Sequence, residues 1–283
     1  MHQDLIKHFR EKGFVTIPSV LEDVEVEFYR ELLKDAIKER KQSDKRLLSE
    51  KSLYEQSFIQ CQNLWEDYPK IRELAFNQKI TKLAADLLGA DALRIWHDQA
   101  LVKEKGGRKT DIHHDQPYWP IKEHATITAW IPFDKITSTN GQLGFYPGSH
   151  KIPNKNFIDI FSGKVSEDDT NAILAIKNIE PEYQLLNAGD ISFHHGLTFH
   201  EAKPNLSNKD RLVYTVIFFA DGSTRDSDRF HFSVDRPGIK PGQVIASDVT
   251  PLAYPLEEIP SAPKTPIQES FNFLQKSGLL PKT

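Results

Sequence analysis

A single cysteine, Cys61, rules out a disulfide within the chain and a cluster of thiolate metal ligands. As a small apolar residue it is expected in the core. Excess positive charge is also missing. Thirty-six Lys and Arg stand against 40 Asp and Glu, a formal net charge of −4. No basic stripe runs along the sequence, so nothing invites nucleic acid. Long apolar runs are absent too: none approaches the ~20 residues that span a bilayer. The opening MHQDLIKHFREKGF is charged where a secretory signal carries an apolar centre. These absences lead to the expectation of a soluble, cytoplasmic protein without nucleic-acid or membrane partners. Its 283 residues, 39% hydrophobic and 27% charged, suffice to bury a substantial core. We read residues 1–283 as one domain in three parts: helical to about 89, a β core over about 90–222, and a wrapping segment over about 223–283.

The first part carries helical periodicity. Leu5, Ile6 and Phe9 share a face of a helix that ends at Gly13, and GFVTIP then reads as a strand. Val24, Phe28, Leu32 and Ile37 recur at helical spacing over residues 22–41. Ile71, Leu74, Leu83, Leu87 and Leu88 do so over about 70–88, with Gly89 as the stop. After Gly89 the pattern changes to short β-rich runs, LRIWHDQALV, ATITAWIPF, GQLGFYP, ISFHHG and RLVYTVIFFA, punctuated by STNG, PGSH, NAGD and PNLSN. Such strands indicate a sandwich or barrel rather than alternating strands and helices. The tail is rich in proline and charge and keeps apolar residues between its turns, as an ordered wrapping segment does.

Eight of the eleven histidines fall between His97 and His200. Within IHHDQPYWP, a strand would turn His113 and Asp115 to one face and His114 to the other. One imidazole and one carboxylate at one metal need a third ligand, for which His194, His195 and His200 are candidates. Two histidines and a carboxylate would form the facial triad of non-haem Fe(II) oxygenases, with open positions for other ligands. The plain alternative is an ordinary hydrogen-bonded His113–Asp115 pair.

The wider sequence resembles the phytanoyl-CoA dioxygenase family of iron(II)- and 2-oxoglutarate-dependent oxygenases. The resemblance rests on His113 and Asp115, on HEAKPNLS from His200, on Arg211 eleven residues later, and on ITAWIPFD and NGQLGFYPGSH. It covers roughly residues 5–222. It implies a mainly β, double-stranded β-helix (jelly-roll, cupin-like) core with the N-terminal helices packed outside. It also implies Fe(II) held by His113, Asp115 and His200, which makes these the catalytic centre. The cosubstrate would be 2-oxoglutarate, with its far carboxylate on Arg211, whose planar fork matches a carboxylate. Family members often carry a serine two residues after the distal histidine; here that position is Ala202.

Trp130 stands where the family has a tryptophan near the cosubstrate. It shares a strand face with Thr126 and Thr128, while Ile127, Ala129 and Ile131 share the other. Core packing is its ordinary alternative. Gln99 and His114 are further candidate cosubstrate contacts, with plain structural hydrogen bonding as the alternative. Of His194 and His195, one is expected to pack inward and the other outward. KEKGGRK over 103–109 reads as a flexible loop. The implied reaction hydroxylates a small organic molecule with O2 and 2-oxoglutarate, giving succinate and CO2. Two other classes share these residues: a divalent-metal hydrolase or isomerase, which has no need of Arg211, and a non-catalytic barrel that binds a small ligand.

Overall fold

The computed structural model describes residues 2–152, 158–161 and 167–264. Helix α1 (His2–Lys12) ends at Gly13. That residue has φ +84°, and a Cβ there would fall 2.4 Å from the His150 ring, so only glycine lets the chain turn directly into β1 (Phe14–Ile17). Helix α2 (Asp23–Arg40) buries Val26, Tyr29, Leu33 and Ala36. This is only partly the expected face, because Leu32 and Ile37 pack at its margin but Val26, Tyr29, Leu33 and Ala36 form its centre. Val24 and Phe28 are exposed, because a 3-4-3 spacing from Val26 puts them on the opposite side.

Strand β2 (Ile59–Gln62) and the short α3 (Leu64–Asp67) follow; neither has a clear sequence signal. The helix expected over 70–88 is two helices, α4 (Pro69–Ala75) and α5 (Gln78–Leu88). Asn77 leaves the helical conformation and its side chain accepts the amides of Lys79 and Ile80, which starts a new helix.

The β part contains β3 (Leu93–Lys103), β4 (Thr110–His113), β5 (Thr126–Pro132) and β6 (Leu143–Phe145). Helix α6 (Glu167–Ile176) and β7 (Glu182–Tyr183) come next, then β8 (Ile191–His195), β9 (His200–Ala202) and β10 (Arg211–Ala220). The short α7 (Phe232–Asp235) and β11 (Leu252–Tyr254) complete the described elements. One antiparallel sheet runs β1-β8-β5-β10-β3-β11, with β2 also on β3, and a smaller sheet runs β4-β9-β6-β7. Two such sheets with antiparallel crossovers form a double-stranded β-helix, as expected.

Strand β10 shows how the barrel divides its sides. Leu212, Tyr214, Val216 and Phe218 join the helices' core, while Val213, Ile217 and Phe219 enter inner clusters. Each such large side chain removed from water stabilises by roughly 1.5–3 kcal/mol. Register carries this division across the sheet. Gln99, Thr215, Trp130 and Ser192 form one inward row; His97, Ile217, Thr128 and His194 form the next. The pairing shifts by one residue beside Trp96, so Trp96 and His97 both join the inner side.

The described part of the expected wrapping segment, residues 223–264, packs on the barrel. Buried Arg225 holds the segment together through Asp235 and the carbonyls of Ser227, Arg229 and Ile239, and the Ser233 hydroxyl donates to the Trp96 carbonyl of β3 at 2.7 Å. No helix among the described residues is long and apolar enough to cross a membrane.

Candidate metal and cosubstrate site

His113 closes β4, and Asp115 takes φ −75°, ψ −36° at the head of a 3-10 turn over Gln116–Tyr118. The turn, not strand alternation, brings Asp115 to His113. His200 opens β9 directly opposite His113, with the ring centroids 4.2 Å apart. One donor atom from each of His113, Asp115 and His200 lies within 4.8 Å of the others.

Hydrogen bonds aim these donors. His113 Nδ1 lies 2.8 Å from the Asp111 carbonyl, and His200 Nδ1 lies 3.0 Å from the Thr198 carbonyl. A carbonyl only accepts, so each Nδ1 carries the proton and each Nε2 presents a lone pair. Both Nε2 atoms stand 3.7 Å from Asp115 Oδ1. The other carboxylate oxygen, Oδ2, is occupied: the Thr128 hydroxyl donates to it at 3.3 Å, and His194 Nε2 lies 3.2 Å away. Burial pushes His113 and His200 below the usual imidazole range, which keeps both neutral. Burial alone would raise Asp115, but His200, His194 and His113 outweigh it and hold the carboxyl well below its usual range. Two neutral imidazole nitrogens and one ionised oxygen are the donor set of a non-haem Fe(II) site.

Of the paired histidines, His194 turns inward and packs 4.7 Å from the His200 ring, while His195 turns outward, 5.7 Å from His150. His114 is not brought to the metal donors. It stacks on Phe199, with centroids 4.3 Å apart and an interplanar angle of 12°. Of the expected cosubstrate contacts, it alone leaves the inner face.

The far end of the same inner face is cationic. Arg211 and Lys103 are cross-strand neighbours, both buried. Among the described residues neither forms an ion pair, and Arg211 carries the charge of this end. Lys103 donates to the carbonyls of Ser57 (2.9 Å) and Arg108 (2.6 Å) and lies 3.3 Å from Thr110 Oγ1. These bonds, with Gly106 N to the Asn205 carbonyl, tie down the loop expected to be flexible. Burial first, then the Arg211 charge, pushes the Lys103 amine down to about 6. Arg211 is different: its Nε is enclosed without any hydrogen-bond partner, and burial pushes the guanidinium down to about 10 against the pull of Asp134.

The Arg211 guanidinium lies 5.3 Å over the Trp130 ring. Across from Trp130 in the register, Ser192 Oγ is also enclosed without a partner. Ala202 sits in the apolar cluster that contains Trp130, Val213 and Leu143. A buried cation and a buried hydroxyl, both lacking partners on either side of an aromatic ring, fit the far end of a dicarboxylate. Sequence reading gave Thr128 and Ser192 no role and placed Lys103 in a flexible loop, whereas it is the last residue of β3. Alternation already marked Thr128 as inward-facing, but which inward residue meets Asp115 depends on tertiary register.

The profile of the family described as phytanoyl-CoA dioxygenase (PhyH) matches residues 9–213. A phytanoyl-CoA dioxygenase domain-containing protein 1 homolog of Caenorhabditis briggsae is 27% identical over 158 residues, 52% of this chain and 54% of that protein. The chain thus spans about half the length of the curated relatives it matches first. Among solved structures, the non-heme alpha ketoglutarate dependent carbocyclase SnoK from nogalamycin biosynthesis superposes with TM-score 0.73 at 24% identity, covering 88% of this chain and 95% of that one. The epimerase SnoN from the same biosynthesis gives TM-score 0.71 at 25% identity, covering 89% and 98%. A profile that takes in the sequence from α1 to the start of β10 makes this chain a member of the phytanoyl-CoA dioxygenase family.

Proposed function

We propose that the protein is a 2-oxoglutarate-dependent non-haem iron dioxygenase of the phytanoyl-CoA dioxygenase type. It hydroxylates a small organic molecule and releases succinate and CO2. One observation carries the reading: Arg211, a buried guanidinium with no anion beside it among the described residues, sits in the same barrel as the His113–Asp115–His200 donors. A hydrolase or isomerase on this barrel would use those donors and have no call for such a cation.

His113, Asp115 and His200 would hold Fe(II). Iron together with 2-oxoglutarate supplies the activation of O2 and the oxidising power for a C–H bond. The chain supplies position and exclusion of water. Arg211 binds the far carboxylate of 2-oxoglutarate through its planar fork. Trp130 covers that carboxylate, and the Ser192 hydroxyl stands in for the serine missing at Ala202. Gln99, in the same inward row as Trp130, borders the cosubstrate. Thr128 and His194 keep Asp115 Oδ2 occupied, so that Oδ1 alone faces the metal position. A cytoplasmic location belongs to the same reading, since reducing conditions suit the lone buried Cys61 and a ferrous site.

The test is succinate formation from 2-oxoglutarate by protein loaded with Fe(II), with 2-oxoglutarate binding measured alongside. We expect slow Fe(II)-dependent release without any prime substrate, lost in Asp115→Ala and when Zn(II) replaces iron. Absence of both succinate and 2-oxoglutarate binding would hand the case to the plain metalloenzyme.

A further inference from the structure

Much of the inner face is not used by the metal or the cosubstrate. Gln60, Tyr54, Tyr118 and His231 are each part-accessible, and Tyr54 and Tyr118 both feel the charge of Asp115. Accessible surface on such side chains is what a cleft leading to the carboxylate would leave. One side of the cleft is polar without charge: the Tyr54 hydroxyl donates to Gln60 Oε1 at 3.1 Å, and Gln60 Nε2 donates to Gln99 Oε1. The other side is built from rings. His231 stacks on Trp96 with centroids 4.4 Å apart at 24°, and His97 lies 5.7 Å from His231 at 26°. Trp119 meets His97 edge-on at 6.2 Å.

His97 stands out on this wall. It is 4% exposed, it faces inward beside Gln99, and among the described residues its Nδ1 has no hydrogen-bond partner. A buried polar atom without a partner is costly and rare, and a ligand is one way to satisfy it. Burial pushes the imidazole down to about 4, against the Asp98 backbone and the Asp115 charge, so the ring is neutral at neutral pH. Burial, then the neighbouring His97, pushes His231 far below its usual value as well. None of the described residues named on this wall offers a charge to a substrate.

We propose that this cleft takes an uncharged, ring-bearing molecule, which packs against the half-buried His231 ring of the His97–His231–Trp96 stack while the His97 imidazole holds its hydroxyl or carbonyl. The inference rests on the oxygenase reading for what happens to the molecule, not for how it binds. His231 lies in the segment after residue 223, outside the 9–213 span matched by the family profile.

The matched probes 2-naphthol and 2-naphthoate carry the same rings, with a neutral hydroxyl on one and a carboxylate on the other. Binding is measured by calorimetry on protein holding Zn(II) and 2-oxoglutarate, which does not turn over, and again on metal-free protein. We expect 2-naphthol to bind at least about tenfold more tightly than 2-naphthoate, the worth of roughly one hydrogen bond. His97→Phe keeps the ring, removes the nitrogens, and should lower 2-naphthol affinity by about the same factor. His97→Gln should recover most of it, and 2-oxoglutarate affinity should stay unchanged in both variants. Equal or tighter binding of 2-naphthoate overturns the proposal. So does a His97→Phe protein that binds 2-naphthol like the parent, or that loses 2-oxoglutarate along with it. Because the metal-free protein reports on the wall alone, failure of the oxygenase reading would leave that readout standing.

Discussion

Asp115 gives its two oxygens different work. Oδ2 lies within hydrogen-bonding reach of the Thr128 hydroxyl and His194 Nε2, which leaves Oδ1 facing the two Nε2 atoms of His113 and His200. Contacts of this kind around a metal ligand are worth about 10–100-fold in metal affinity. Thr128→Val and His194→Phe should each weaken Co(II) or Mn(II) binding by a factor in about that range, read by calorimetry. If both variants bind metal like the parent, the Oδ2 contacts do nothing for the site. Part of this centre was legible in the sequence. The His-x-Asp spacing identified His113 and Asp115, but for a reason the chain does not use: the strand ends at His113, and a 3-10 turn delivers Asp115. Thr128 and His194 were readable as inward residues at most. Their meeting with Asp115 needs the register of β5 on β8 and the path of that turn, which no local pattern encodes.

At the scale of elements, the strands were the most legible, because alternation is strict wherever one face meets helices and the other the barrel interior. Strand β2 was not, since its pairing to the edge of β3 is set by tertiary contact. Helix α2 was found with its face half wrong: Val24 and Phe28 are apolar but exposed, Leu32 and Ile37 pack at the margin, and Val26, Tyr29, Leu33 and Ala36 form the buried set. The break at Asn77 was visible as a capping residue that helical periodicity on either side concealed. Strand β3 also has a consequence on its helix-facing side. Asp98 is fully buried there, accepting from the Tyr214 hydroxyl and from Trp65 N at 2.9 Å. Burial pushes its carboxyl up to about 7 from an ordinary 3.8, despite the Tyr214 hydrogen bond. The folded protein thus holds this proton more tightly than the unfolded chain. The stabilising contribution is full below pH 3.8 and is lost as pH rises towards about 7. Asp98→Asn should remove that fall, so the stability difference between variant and parent shifts in the variant's favour from pH 4.5 to about pH 7.5. Urea unfolding of both proteins at the two pH values checks this; a difference that does not change with pH would mean Asp98 keeps an ordinary carboxylate.

Across the whole molecule, the barrel is polarised along its inner face. Arg211 and Lys103 hold one end, the two histidines and Asp115 stand beyond Trp130, and the wall of His97, Trp96 and His231 lies past them. The helices and strand faces that build the outer core explain why the barrel forms, whereas the buried Arg211 guanidinium at its end makes sense only with an anion to receive. The fold class was legible because turn-punctuated strands follow a helical start. The substrate wall was not, because one of its rings, His231, comes from a tail with little periodicity. The account turns on Arg211 as the cosubstrate anchor. The direct measurement is a titration of 2-oxoglutarate into anaerobic Fe(II) protein, following the metal-to-ligand charge-transfer band. Arg211→Ala should keep its metal and lose about 2–5 kcal/mol of 2-oxoglutarate binding. That is a roughly thirty- to several-thousand-fold rise in Kd, at about 1.4 kcal/mol per tenfold. His200→Ala should fail in the other order, losing metal first and the band with it. An Arg211→Ala protein that develops the band at the same 2-oxoglutarate concentrations as the parent would contradict the account.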